Sequence, residues 1–94
     1  MLDRATITAN AAADASQAAY FRECLTDELE DVTQKLAVNR ARLHARSLRG
    51  DKPGSRSMAR LRAEIRELEA RERDLNRLIS ALASRFSHVW PAAG

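Results

Sequence analysis

Cysteine occurs once, at Cys24, which excludes an intramolecular disulfide and any cysteine-based metal site and sets a reduced, cytoplasmic location as the expectation. Glycine and proline are nearly absent outside one spot, Gly50-Asp51-Lys52-Pro53-Gly54. With so few turn residues, the composition is far from that of a compact mixed fold. The aromatics are four, Tyr20, Phe21, Phe86 and Trp90, too few for a broad core or for a platform that stacks bases. No apolar run approaches the about 18 residues that suggest a membrane span. The small residues Ala11–Ala13 and Ala15 are not preceded by an apolar core, so a signal-peptide pattern is missing. His44 and His88 lie far apart with no Cys, Asp or Glu at ligand spacing, and no cofactor motif is present. No pair of titratable groups has the spacing acid–base chemistry requires, so the expectation is a protein that is not an enzyme.

What is abundant is Ala, Arg, Leu and Glu, the composition of long helices. Stepping alternately three and four residues from Met58 reads Met58, Leu61, Ile65, Leu68, Glu72, Leu75, Ile79, Leu82, Phe86, Val89. Only Glu72 breaks this apolar stripe. It is a heptad seam, the pattern of a helix that lays one narrow face against another helix. An earlier stretch carries a second seam: Ala15, Ala18, Leu25, Leu29, Val32, Leu36, Asn39 and Leu43, interrupted by Arg22 and Arg46.

Read in order, residues 1–10 form a weak lead-in, because Thr6, Ile7 and Thr8 favour helix poorly and Asn10 suits an N-cap. The first helix is expected over 11–48, the turn over 49–55 and the second helix over 56–89, ended by Trp90-Pro91, with a loose tail at 91–94. Gly50 suits the left-handed position past a helix end, and Ser55 or Ser57 suits the cap of the next helix. So short a connection makes the helices antiparallel neighbours, with opposite residues summing to roughly 104. Glu67 with Arg71 and Glu69 with Arg73 have the spacing of i,i+4 ion pairs. The fold class is therefore all-α: an antiparallel two-helix coiled-coil hairpin. One seam buries little apolar surface, so a second interface is expected, and dimerisation into a four-helix bundle is its simplest form.

Charge is distributed unevenly. Residues 1–34 carry a net −5, residues 35–62 a net +8, and residues 63–94 a net zero. Folded as a hairpin, the middle block gathers Arg42, Arg46, Arg49, Lys52, Arg56 and Arg60 at one end of a rod. Such a tip suits an acidic protein surface or, as the alternative, the phosphates of a nucleic acid. At the opposite end Tyr20, Phe21, Leu78, Phe86 and Trp90 widen the apolar face, the expected contact of a homodimer. Asn39 and Glu72, polar within apolar seams, are expected to specify register or oligomeric state. The function expected is an interaction, adaptor or regulatory hairpin that self-associates through its base and presents a basic tip.

The order Glu28-Leu29, Gly50-Asp51, Ile65, Leu68 resembles the hairpin arm of bacterial transcript-cleavage factors. That family holds a metal with acidic tip residues, whereas Asp51 here stands among Arg49, Lys52 and Arg56. The resemblance therefore implies the arm's shape and not its chemistry. Leu61–Arg85 is similar to the first helix of small all-helical chorismate mutases, which need further helices than this chain supplies. The hairpin length is similar to that of small secreted helical-hairpin proteins, whose Trp-x-Gly turn is missing here.

Overall fold

The computed structural model describes residues 4–86, with side chains from Ala11 onward. Helix α1 runs Arg4–Leu48 and helix α2 runs Arg56–Phe86. They pack side by side as a helical hairpin, a rod 69 Å long and 29 by 15 Å across. The 45 residues of α1 alone span about 67 Å at the rise of an α-helix. Trp90, Val89 and the tail at 91–94 lie outside the described residues.

Helix α1 starts seven residues earlier than Ala11, so residues 4–10 are helical and Asn10 sits inside the helix rather than capping it. The physical reason is cooperativity. Extending an existing helix adds one hydrogen bond per residue ordered, and each of Thr6, Ile7 and Thr8 costs only about half a kcal/mol relative to Ala.

The turn closes as its residues dictate. The Gly50 amide donates to the Ser47 carbonyl and the Asp51 amide to the Arg46 carbonyl, both at 3.1 Å, which satisfies two end-of-helix acceptors at once. This pattern requires the left-handed backbone that Gly50 adopts, at φ 83°. Ser55 is the cap of α2: its Oγ accepts from the Met58 amide at 3.2 Å. A Cβ added at Gly50 meets no atom within 4 Å, so the penalty of Gly50→Ala comes from the backbone alone. That substitution should lower stability by about 1 kcal/mol, read as a fall in the urea midpoint with helicity unchanged.

The core is the seam. Ala18, Leu25, Val32 and Leu36 of α1 and Met58, Leu61, Ile65 and Leu75 of α2 are its buried side chains. Leu29, Leu43, Leu68, Ile79 and Leu82 are half-buried and close around the cluster. The polar seam positions Arg22, Asn39, Arg46 and Glu72 are half-buried as well. No polar side chain is fully buried among the described residues, and no buried side-chain polar atom lacks a partner. A two-helix seam is one layer deep, so a long polar side chain there reaches its edge.

Polar side-chain contacts that join the helices include Arg71 to Glu28, Thr33 to Glu72, Arg40 to Glu69 and Arg46 to Ser57. Their paired numbers add to between 99 and 109, bracketing the sum of about 104 that the loop position implies. Two of these contacts replace the expected i,i+4 pairs. Arg71 reaches across to Glu28 rather than back to Glu67, and Glu69 takes Arg40 rather than Arg73. Residues 69 and 71 flank the seam, where the partner helix offers a charge of opposite sign at closer range than the same helix does.

Candidate interaction surfaces

The tip is held by both helix ends. The last two turns of α1 carry Arg42 and Arg46, the loop carries Arg49 and Lys52, and the first turns of α2 carry Arg56 and Arg60. The half-buried Arg46 donates from a terminal guanidinium nitrogen to Ser57 Oγ at 2.7 Å. Arg62 donates to the Pro53 carbonyl at 2.7 Å and so braces the loop against α2. The remaining cations, Arg42, Arg49, Lys52, Arg56 and Arg60, are exposed and make no ion pair or side-chain hydrogen bond among the described residues. Arg42, Arg46, Arg56 and Arg60, with Ser57, Leu61 and Glu64, line one open depression of about 460 Å³. Of the six cations singled out from the sequence, Arg42, Arg46, Arg56 and Arg60 line this one depression, and Arg49 and Lys52 stand in the loop beyond it.

The contacts also sort the rod into two flanks. The Glu28–Arg71 ion pair marks the first, with Arg71 Nε 2.9 Å from Glu28 Oε1. One heptad toward the base on each helix stand Phe21 and Leu78, and one heptad toward the tip stand Lys35 and Glu64. A second heptad tipward brings Arg42 and Ser57. This flank therefore grades from apolar to cationic along its length. The second flank is marked by Thr33 with Glu72 and, one heptad on, by Arg40 with Glu69 at 3.2 Å. There Thr26, Leu29, Glu30, Thr33, Gln34 and Ala37 line a depression of about 580 Å³.

At the base, Tyr20 is 70% exposed, Phe21 53% and Leu78 45%. Phe86 is half-buried, with the Arg85 guanidinium 5.2 Å from its ring centroid. Trp90 lies outside the described residues. The Tyr20 phenol is held above its ordinary pKa, first by its hydrogen bond to Cys24 Sγ one turn on, then by the negative charge of a Cys24 thiolate and of Glu23. Cys24 is an exposed free thiol.

Among the seam polar residues, Glu72 accepts from Thr33 Oγ1 at 3.4 Å, a long and weak bond. Asn39 lines a further depression of about 560 Å³ with Gln34, Lys35, Val38, Arg42, Glu64, Glu67 and Leu68. Val38 was not among the sequence candidates. It is off the seam and 48% exposed, and only its position over an interhelical groove distinguishes it from a neutral surface residue.

No helix among the described residues is long and apolar enough to cross a membrane. No group of three or more His, Cys, Asp or Glu side chains is arranged to hold a metal ion among them. No family model matches this sequence, and comparison with curated proteins and with solved structures returns no match.

Proposed function

We propose that this chain is a non-enzymatic interaction hairpin that docks its Arg-rich tip on an acidic protein surface and joins a second copy through its base. The observation that carries the tip is the set of five cations without an internal partner among the described residues, with Arg42, Arg46, Arg56 and Arg60 lining one cleft. Unpaired guanidinium groups held on two helix ends are pre-oriented for carboxylates, which they meet through paired, planar hydrogen bonds. Fluorescein-labelled polyglutamate should bind the full chain and be released as salt rises. Arg49→Glu with Arg56→Glu should weaken that binding at least about tenfold, since each reversal also repels the ligand. Unchanged binding in the double variant would sink the reading.

Nucleic acid is the competing occupant. The described aromatics, Tyr20, Phe21 and Phe86, sit at the base, so the tip has no stacking surface for a single strand. A duplex remains, and a duplex that binds more tightly than polyglutamate at equal charge would transfer the tip to nucleic acid.

Exposure of Tyr20, Phe21 and Leu78 on a chain with a single thin seam supports self-association at the base. Phe21 and Leu78 each stand one heptad basewards of the Glu28–Arg71 pair, which supports reading them as one patch on that flank. Phe21→Glu with Leu78→Glu should halve the mass seen by light scattering, from twice the 10.5 kDa chain to the chain itself. A wild-type monomer, or a double variant that stays dimeric, would remove the base as the interface.

A further inference from the structure

The geometry points to a seat for a third helix on the first flank: we infer that the groove between residues 35–46 of α1 and 57–68 of α2 receives an acidic amphipathic helix of a protein partner. This rests on the reading of the tip as a site for acidic protein and specifies what that protein brings.

The groove is continuous. The depression that holds Val38 and Leu68 and the depression ringed by arginine are both lined by Arg42 and Glu64. Its two halves differ in chemistry. One offers apolar surface from Val38, 48% exposed, and Leu68, which also touches the core. The other offers Arg42, Arg46, Arg56 and Arg60. The twelve residues of α1 along it span about 18 Å, a little over three helical turns. A helix lying in the valley between two antiparallel helices repeats the packing the hairpin already uses, and it presents apolar residues at i, i+3 or i+4 and i+7. Apolar residues would cover Val38 and Leu68, and carboxylates about two turns away would reach the arginines. Glu64 and Glu67 line the apolar half, and Lys35, which also lines it, is ion-paired with Asp31, so a basic residue at that end completes the match and sets the direction in which the helix lies.

Other occupants fit less well. A duplex has no apolar stripe to place on Val38 and Leu68. A second copy of this chain offers Glu30 in the depression on the second flank, and Glu23 and Asp27 in one beside Arg22 and Thr26. Its Glu28 and Asp31 are taken by Arg71 and Lys35. Copies joined that way would meet through unlike faces, which gives a ring or a filament and not the two-fold dimer proposed at the base.

The test uses the full chain and two labelled synthetic peptides of about 18 residues, read by fluorescence anisotropy. The first is a helical peptide with a leucine stripe over two turns and glutamates over the next two. The second has the same composition in an order that destroys the stripe. The first should bind at least about tenfold more tightly, a difference of one decade in Kd. Val38→Gln, which changes no charge at an exposed position, should abolish that difference while leaving the shuffled peptide and polyglutamate within about twofold. Equal affinity for the two peptides, or no effect of Val38→Gln on the first, overturns the groove even if polyglutamate still binds the tip. Loss of polyglutamate binding itself would instead overturn the reading of the tip, and the groove with it.

Discussion

Replacing Leu75 by Ala should destabilise the hairpin by about 2–5 kcal/mol, the range for truncating a fully buried leucine. Leu75 has 0% of its surface exposed and belongs to the apolar core cluster with Leu25, Val32, Leu36, Leu61 and Ile65. In a compact domain a second layer of side chains can settle into the space. Here the seam is one residue wide, and the methyl groups removed leave apolar neighbours facing a gap that water enters from either flank. Small domains have stabilities of about 5–15 kcal/mol, so the loss is a large fraction of the whole. Leu48→Ala, at an exposed position in the last turn of α1, is the matched control and should shift stability by no more than about 0.5 kcal/mol. Urea unfolding followed by far-UV circular dichroism measures both. Equal shifts in the two variants would mean that the chain's stability does not come from this seam.

The second large effect has the opposite sign. Asn39→Leu combined with Glu72→Leu should raise stability by about 1–3 kcal/mol. Both residues occupy seam positions and are half-buried, so their polar groups are partly withdrawn from water. Glu72 recovers little of that cost, because its bond from Thr33 is 3.4 Å long. Leucine at each position would extend the apolar stripe, with Leu68 and Leu75 four and three residues from position 72 on the same face. A seam made uniformly apolar loses the features that distinguish one register from another. Light scattering of the double variant should therefore show mixed masses where the parent shows one. A more stable variant of a single unchanged mass would limit the two polar residues to a cost in stability, with no part in specifying assembly.

Much of this architecture is legible in particular residues. The alternating three- and four-residue spacing from Met58 to Leu82 identifies the buried side of α2, because an α-helix returns to the same side every 3.6 residues whatever its partner. The same spacing from Ala15 to Leu43 marks the buried side of α1, and the eight buried side chains among the described residues all fall on these two seams. Gly50, Pro53 and Ser55 locate the turn, because each backbone role has few residues that perform it: a left-handed φ, a break in the helix and a capping oxygen. The start of α1 was not legible. Thr6-Ile7-Thr8 is weakly unfavourable, and a weak local preference yields to propagation from the helix that follows it.

The sequence by itself determined the two helices, the turn between them, the seam that joins them and the gathering of cations at one end. These depend on spacing along one chain and on local backbone preferences, which need no knowledge of the partner helix. Only the tertiary structure decided that Arg71 takes Glu28 and Glu69 takes Arg40, that the rod has two unlike flanks, and that Val38 overlies a groove continuous with the arginine cleft. Those outcomes depend on which side chain of the other helix stands within a few ångströms. That distance is set by the register and separation of the two helices together, and no spacing within either one contains it.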